Sequence, residues 1–221
     1  MCFSHYLQQP NGFRKFACLY PDFGHFFQVP IVDWGEEGGT KNTRCFMPKM
    51  FCEGKVGLRT LEPDDVSLLY AWECETDAWQ SNNTSAPYSR RLLREYLSNY
   101  DADIYKTREV RLMVECDGQP IGTLDVFNFD PLNSRAEIGL YVAPQFRRLG
   151  IADKAIAIAV EQYAFGVLSL NQVYATIRVD NVAALAAFTK AGFSKSAVLG
   201  RWISVGKGRY ADAAIMQRMA D

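Results

Sequence analysis

The chain changes character at about residue 55, where hydrophobic and polar residues begin to follow regular periods that continue to the C terminus. A period of two predicts strands, and apolar residues three and four positions apart predict helices. The predicted strands are 57–62, 110–116, 121–127, 135–142, 173–179, 201–205 and 209–216. The predicted helices are 63–72, 89–100, 151–165 and 181–190. The order β-α-α-β-β-β-α-β-α-β-β predicts an α/β fold with a mixed central sheet flanked by helices.

Local signals at the ends of these elements support the assignment. Asp117-Gly118 separates two strands and predicts a tight hairpin turn. Asp180 or Asn181 is expected to cap the helix that follows, and Gly192 is expected to end it. Strand 135–142 alternates, and one face carries Ala136, Ile138, Leu140 and Val142 while the other carries Arg135, Glu137, Gly139 and Tyr141.

Residues 1–54 have a different pattern from the rest of the chain. They are rich in aromatic residues but show neither helical nor strand periodicity. We expect this segment to be an irregular or poorly ordered N-terminal extension, with Met47 or Met50 as alternative starts of the protein. The alternative is a docking arm. The folded domain is therefore predicted to span residues 55–221.

Composition narrows the class of protein. The 221 residues are 48% hydrophobic and 22% charged, with a formal net charge of −1, which is ordinary for a soluble globular domain. Neither nucleic acid nor a membrane is predicted as a partner, because there is no basic excess and no apolar run of eighteen residues. The N terminus lacks the features of a secretory signal, so we expect a cytoplasmic protein.

Cysteine and histidine usage gives no sign of a metal site. The six cysteines include no CxxC pair, and the two histidines do not have zinc-ligand spacing. We therefore expect reduced thiols and no metal.

The stretch QFRRLGIA, residues 145–152, joins a strand to a helix and concentrates positive charge there. Backbone N–H groups at a helix start favour an anion, and glycine permits a close approach of the backbone. Arg147 and Arg148 add guanidinium groups suited to phosphate oxygens. The pattern therefore indicates a pyrophosphate site, although two arginines beside a tight turn are also common as ordinary loop charges. A Walker loop and a dinucleotide fingerprint both require glycines that are absent here.

Two motifs resemble the GNAT N-acetyltransferases. Arg147-x-x-Gly150-x-Ala152 is similar to the family's R/Q-x-x-G-x-G/A signature. About thirty residues later, a stretch beginning at Asn181 and ending at Phe193 resembles the family's N-x-x-S/A-x-x-x-Y-x-K-x-G-F. The resemblance extends from about Lys55 to the C terminus. Within the family, the spermidine N-acetyltransferases and the ribosomal-protein N-terminal (Rim-type) acetyltransferases are the most similar.

The resemblance implies a GNAT-like sheet in which the strands 135–142 and 173–179 splay apart around acetyl-CoA. Asn181 is expected to bond the pantetheine arm, to cap its own helix, or both. The residues implied in cofactor binding are Leu140, Tyr141, Val142, Arg147, Arg148, Leu149, Gly150, Ile151, Ala152, Asn181, Phe188 and Lys190.

The family's reaction also requires proton transfers. An amine must lose its proton before it can attack, so a nearby group must accept that proton. Glu137 is the first candidate and Asp125, on the neighbouring strand, the second; a structural partnership of Glu137 with Arg135 or Arg178 is equally open. Many relatives protonate the departing thiolate with a tyrosine where this chain has Phe188, which cannot donate. Tyr174, Tyr141 or Tyr210 would have to substitute, although each also fits a packed position in the sheet.

The resemblance leaves several acceptors open. A polyamine such as spermidine is a multiple cation, and Glu73, Glu75, Asp77, Asp125 and Asp130 offer acidic surroundings. The alternatives are a protein N terminus, another small amine, or a catalytically silent CoA-binding module. Because the family often assembles through its sheet, a homo-oligomer is also possible.

Overall fold

The computed structural model describes residues 51–74, 88–206 and 208–221. In this part of the chain, one sheet contains eight strands in the order β1-β2-β3-β4-β5-β6-β8-β7. The strands are β1 (Cys52–Glu53), β2 (Val56–Arg59), β3 (Val110–Cys116), β4 (Gln119–Asp130), β5 (Arg135–Val142), β6 (Gln172–Arg178), β7 (Ser194–Ser204) and β8 (Tyr210–Met219). Strands β5 and β6 are parallel, and the other neighbours are antiparallel.

The helices lie between these strands. They are α1 (Val66–Glu73), α2 (Arg90–Ser98), α3 (Ile104–Thr107), α4 (Ala152–Ile158) and α5 (Val182–Lys190). A 3₁₀ turn at Pro63–Asp65 precedes α1, and π-helical bonding over Ala159–Phe165 continues α4.

Buried side chains cover both faces of the sheet. On one face, α4 contributes Ala155, Ile156 and Ile158 to a core that includes Ile138 of β5 and Val173 of β6. On the other face, a smaller cluster joins Leu69 and Trp72 of α1 to Leu93 of α2 and Met113 of β3. Helices therefore flank the sheet, and β5 lies near its centre, where both layers can hold it.

A buried ion cluster attaches the start of α1 to the sheet. Arg59 donates to both carboxylate oxygens of Asp65 at 2.7 and 2.8 Å and to Glu115 on β3 at 2.6 Å. Asp65 also accepts from the backbone N–H of Glu62, which closes a capping box. These bonds fix α1 against β2 and β3, and α1 in turn forms one wall of the cleft described below.

The predicted α/β class and the order of the major elements are confirmed. The turn Asp117-Gly118 has φ angles of 52° and 76°, as a hairpin turn of this length requires. Gly192, with φ of 88°, follows α5 as expected.

Three features differ from the sequence-based assignment. Strand β1 and helix α3 are two and four residues long, too short to produce a period. Strand β7 begins at Ser194 rather than at 201. The sequence did not predict its first part, because its residues are nearly all exposed and two register shifts interrupt its alternation. The predicted boundary at residue 54 falls between β1 and β2; residues 1–50 lie outside the described part of the chain, so the extension stays a prediction.

None of the helices in the described ranges is long and apolar enough to cross a membrane.

Candidate active site

Strands β5 and β6 separate soon after they begin to pair. Their register contains only Arg135↔Gln172, Ala136↔Val173 and Glu137↔Tyr174. Beyond the Glu137↔Tyr174 pair, β5 no longer pairs with β6, while it continues to pair with β4 as far as Val142. The expected splayed strand pair is therefore present, and it leaves backbone groups of β5 exposed to a cleft.

The cleft at this splay has a volume of about 430 Å³. Its walls come from β3, β4, β5, β6, α1 and α5, and Tyr88, Tyr96 of α2 and Ile203 of β7 complete the lining. Charged side chains in the lining are Glu73, Glu109, Arg111, Asp125, Glu137 and Arg178. Aromatic side chains in the lining are Trp72, Tyr88, Tyr96, Phe127, Tyr141 and Phe188. Four carboxylates face two guanidinium groups, so the lining carries an excess of two negative charges and suits a cation with an apolar body.

The loop after β5 leads into α4 through a short 3₁₀ turn, Pro144–Phe146. Arg147 donates from Nε to the Val142 carbonyl at 2.9 Å, and its guanidinium lies over the Tyr141 ring at 5.9 Å. Arg148 and Leu149 are exposed, whereas Ile151 is buried in the core. No described side chain caps α4 at Ile151, so the first N–H groups from Ala152 onward are available to an anion.

Gly150 adopts φ of 67°, which explains the need for glycine. An added Cβ at Gly150 would meet no protein atom within 4 Å, so packing against the rest of the protein does not require glycine there. Arg148, at φ of 64°, shares the left-handed conformation. The loop thus turns sharply twice before the helix starts.

The second motif forms α5 and one end of the cleft. Asn181 lines the cleft and caps α5, accepting from the Ala184 N–H at 3.1 Å. Phe188 is buried and packs edge-on against Phe193, with ring centroids 5.0 Å apart. Lys190 is exposed at the end of α5 and is not part of the lining.

Glu137 lies at the last position where β5 pairs with β6 and is only 8% exposed. Its Oε1 accepts from the Thr176 backbone N–H at 3.2 Å, and its Oε2 accepts from the Asn128 side chain at 2.9 Å. The sequence left open a structural partnership of Glu137 with Arg135 or Arg178; in the structure Arg135 bonds Asp130 and Arg178 bonds Asp180.

Asp125 belongs to an ion cluster on the α1 side of the cleft. Arg111 donates to its two oxygens at 2.6 and 3.0 Å and to Glu73 of α1 at 3.1 Å. Burial lowers the pKa of Arg111, but the charge of Asp125 and the hydrogen bond to it outweigh this, so the net pKa is raised. Arg111 therefore stays charged and joins α1 to the floor of the cleft.

Tyr174 lies beside Glu137 but does not line the cleft. Burial raises its pKa, and the charge of Glu137 and a hydrogen bond to that carboxylate raise it further. Tyr210 is half exposed on β8, outside the lining. Tyr141 is the tyrosine among the three candidates that lines the cleft.

The acidic residues proposed to surround a polyamine are only partly brought together. Glu73 and Asp125 meet through Arg111. Asp130 instead lies at the β4–β5 turn, where it bonds Asn133 and Arg135. Glu75 and Asp77 lie outside the described residues.

Sequence reasoning missed Arg111, Glu109 and Asn128. Arg111 interrupts the otherwise apolar strand 110–114, and that charge was an available signal. Asn128 gave none, because its contact with Glu137 depends on an irregular register between β4 and β5.

Comparison with known proteins agrees with the motifs. A family model described as Acetyltransferase (GNAT) domain matches residues 55–194. Spermidine N(1)-acetyltransferase of Escherichia coli (strain K12) is 30% identical over 146 residues, which cover 63% of this chain and 73% of the relative.

Solved structures share the fold. The spermidine N-acetyltransferase from Vibrio cholerae in complex with CoA and spermine has a TM-score of 0.65 at 24% identity, covering 75% of this chain and 95% of that one. A ribosomal L7/L12 alpha-N-protein acetyltransferase in complex with coenzyme A has a TM-score of 0.67 at 20% identity, covering 76% and 96%. A dodecameric structure of the Vibrio cholerae spermidine enzyme has a TM-score of 0.59 at 25% identity, covering 75% and 94%.

The extent of the family match, together with a relative at 30% identity, therefore establishes that this chain belongs to the GNAT acetyltransferase family.

Proposed function

We propose that this protein transfers the acetyl group of acetyl-CoA directly to a primary amine of a polyamine such as spermidine. The observation that carries the proposal is the cleft at the β5–β6 splay, with its excess of carboxylates and its aromatic walls. A polyamine presents ammonium groups joined by methylene chains. The carboxylates suit the first and the aromatic rings suit the second. The similarity to spermidine N(1)-acetyltransferase of Escherichia coli supports the same class of acceptor.

The end of the cleft formed by β5 and α5 suits acetyl-CoA, which would supply an acetyl thioester there. Beyond Glu137, β5 no longer pairs with β6, and we propose that its backbone at Leu140 and Val142, beside Tyr141, offers hydrogen-bonding groups to a pantetheine arm. Asn181 and Phe188 flank the same opening. We propose that the loop 147–152 and the start of α4 bind the pyrophosphate, because no side chain of the N-cap residue Ile151 caps α4 and the preceding loop carries Arg147 and Arg148. Lys190, exposed at the end of α5, is proposed to reach a phosphate.

The amine must give up a proton before it attacks the thioester. Asp125 and Glu137 both line the cleft, and 30% of the Asp125 side chain is exposed. Glu137 is more deeply buried and already joins two segments of the sheet. We therefore assign proton acceptance to Asp125, through a water molecule, and keep Glu137 as the alternative acceptor.

The departing thiolate gains from a proton donor, and the Phe188 ring has none to give. Tyr141 lines the cleft, and we propose it as the donor in place of Tyr174. Its ring also packs against Trp72, with centroids 5.8 Å apart. Substitution of Tyr141 is therefore expected to affect packing as well as proton transfer.

A homo-oligomer is part of the proposal. Strand β7 lies at the edge of the sheet, and its Val198 and Trp202 side chains are 52% and 62% exposed. Exposed apolar side chains on an edge strand favour association. The dodecamer formed by the Vibrio cholerae relative supports this expectation. Light scattering of the purified protein would measure the assembly directly.

The decisive experiment measures CoA release when the protein and acetyl-CoA meet a panel of amines. The panel contains spermidine, spermine, a lysine peptide, peptides that begin with Ser or Ala, and an aminoglycoside. A reaction without amine corrects for the six cysteines of the chain, which also react with the thiol reagent. Turnover restricted to the polyamines supports the proposal, and turnover restricted to the peptides would replace it with protein N-terminal acetylation. CoA binding without turnover on any amine would indicate a silent binding module.

A further inference from the structure

The point where β5 and β6 part is held by a side chain. In a parallel ladder, each strand donates backbone N–H groups to carbonyls of its neighbour. The last paired position is Glu137↔Tyr174, and the next available N–H of β6 on this side belongs to Thr176. That N–H donates to Oε1 of Glu137 at 3.2 Å. The carboxylate thus replaces a backbone acceptor one step beyond the end of the ladder.

The same carboxylate is held from the opposite side by β4. Asn128 donates from Nδ2 to Oε2 of Glu137 at 2.9 Å. Asn128 has φ of 50° and lies where the β4–β5 register shifts, between Phe127 and Asp130. Asparagine tolerates this left-handed conformation better than most residues. The irregularity in β4 therefore directs an amide toward Glu137, and the carboxylate connects β4, β5 and β6.

The location of this bridge matters for the cleft. Glu137 and Thr176 both belong to the lining, and the splay widens directly beyond them. A carboxylate that is 8% exposed and holds one N–H donor on each oxygen has little freedom to move. Its length and position fix how far β6 stands from β5 at this level.

We infer that Glu137 is a positioning residue: with Asn128 it clasps Thr176 and sets the width of the opening between β5 and β6. The inference rests on the proposed function to the extent that acetyl-CoA is expected to occupy this opening. It assigns Glu137 a role different from that of the proton acceptor considered for it above. Proton acceptance requires a carboxylate, whereas the clasp requires an acceptor for the Thr176 N–H and a partner for Asn128.

Substitutions separate the two roles. In Glu137→Gln, the amide oxygen still accepts from Thr176, and Asn128 can rotate its side-chain amide to accept from the new NH₂ group. In Glu137→Ala, the Thr176 N–H loses its acceptor. In Asn128→Gly, the left-handed backbone is retained and only the supporting amide is lost. Because Asn128 is exposed, this last variant tests the clasp even where Glu137→Ala fails to fold.

The first measurement determines kcat and its pH profile by steady-state kinetics, and the Kd of CoA by calorimetry. For Glu137→Ala we expect the Kd of CoA to rise by about tenfold or more, with a smaller rise for Asn128→Gly, because a hydrogen bond that shapes the site is lost. Glu137→Gln should restore CoA affinity and lower kcat by no more than about fivefold, with the pH profile of kcat unmoved. A loss of about 100-fold in kcat for Glu137→Gln with unchanged CoA affinity would overturn the inference, since it is the behaviour of a general base.

The second measurement needs no cofactor. Hydrogen exchange of the Thr176 amide, followed by NMR in the ligand-free protein, reports the clasp directly. We expect protection in the wild type and in Glu137→Gln, and faster exchange in Glu137→Ala and Asn128→Gly. Equal protection in all four proteins would refute the clasp. If the wild type binds no CoA, the proposed function fails, while the Thr176 amide still decides the inference.

Discussion

At the scale of single residues, the loop before α4 shows how glycine is required for conformation rather than for space. Gly150 and Gly118 both have positive φ angles, and an added Cβ at either position would meet nothing within 4 Å. Gly118 lies in the β3–β4 turn, which the pair Cys116↔Gln119 closes. The two glycines are therefore a matched pair, one at the proposed pyrophosphate site and one in an ordinary turn.

We expect Gly150→Ala and Gly118→Ala to lower the free energy of unfolding by similar amounts, about 1 kcal/mol, because alanine is strained at positive φ. Only Gly150→Ala should weaken acetyl-CoA binding, by about tenfold, because its backbone is proposed to face the pyrophosphate. Chemical denaturation and calorimetry measure the two effects. Equal CoA affinity in both variants would argue against a phosphate site at 147–152.

Asp125 tests the proposed proton acceptor at the same scale. Asp125→Asn keeps the size of the side chain but removes the carboxylate, so kcat should fall by about 100-fold at neutral pH. The Kd of acetyl-CoA should stay nearly constant. The variant also weakens the ion pair between Asp125 and Arg111. Glu73→Gln is the control, because it weakens the other ion pair of Arg111 and leaves the proposed acceptor in place. If both variants lose kcat equally, the cluster contributes through structure and Asp125 is not the acceptor.

The individual site residues were predictable where they belong to a local sequence motif. The loop 147–152 and Asn181 belong to motifs whose spacing is visible in the sequence. The environment of Glu137 was not predictable, because its donors Asn128 and Thr176 lie nine and 39 residues away. The partner of Asp125, Arg111, is likewise on another strand. Motifs thus identify groups, while tertiary structure decides their partners.

At the scale of elements, α5 connects helix capping to the cleft. Asn181 begins the helix by accepting from the Ala184 N–H, and it also lines the cleft. The two roles that the sequence left open for Asn181 therefore concern the same side chain. The cap is present in the structure, and the bond to the cofactor arm is still a proposal.

Serine and alanine at position 181 separate these roles. Asn181→Ser retains a cap, so stability should change little, whereas Asn181→Ala should cost about 1 kcal/mol. Both should weaken acetyl-CoA binding by about fivefold if the amide contacts the pantetheine arm, since both remove it. Thermal unfolding and calorimetry give the two readings. Full CoA affinity in Asn181→Ser would leave Asn181 as a helix cap alone.

Element prediction succeeded where a face is buried and failed where none is. The strand 135–142 and the helix 151–165 have strong periods because both contribute to the core. Strand β7 is exposed along almost its whole length, so no alternation marks its first seven residues. The place of β8 between β6 and β7 depends on pairing across the chain, which local patterns do not contain.

At the scale of the whole molecule, tyrosines distributed over several elements link stability to pH. Tyr96 and Tyr100 are on or beside α2, Tyr163 follows α4, and Tyr174 is on β6. Burial is the largest cause that raises the pKa of each of these hydroxyl groups above its ordinary value of 10. Tyr100 also bonds the backbone of Arg111, accepting from its N–H at 2.7 Å and donating to its carbonyl at 2.8 Å.

The direction of these pKa shifts predicts alkaline destabilisation. Below pH 10 a tyrosine is protonated in both the folded and the unfolded chain, so the shifts have no effect on the folding equilibrium. Above pH 10 the unfolded chain releases protons that the folded chain retains, and stability falls as pH rises. Urea midpoints measured from pH 8 to 11 should therefore decrease steeply above pH 10.

Tyr100→Phe should start less stable, because two hydrogen bonds are lost, but should show a shallower decrease. Tyr105→Phe is the control, since Tyr105 is 57% exposed and its ring contact with Phe129 is kept. A wild-type midpoint that stays level through pH 11, or an identical slope in Tyr100→Phe and Tyr105→Phe, would show that the buried hydroxyl groups do not govern this dependence.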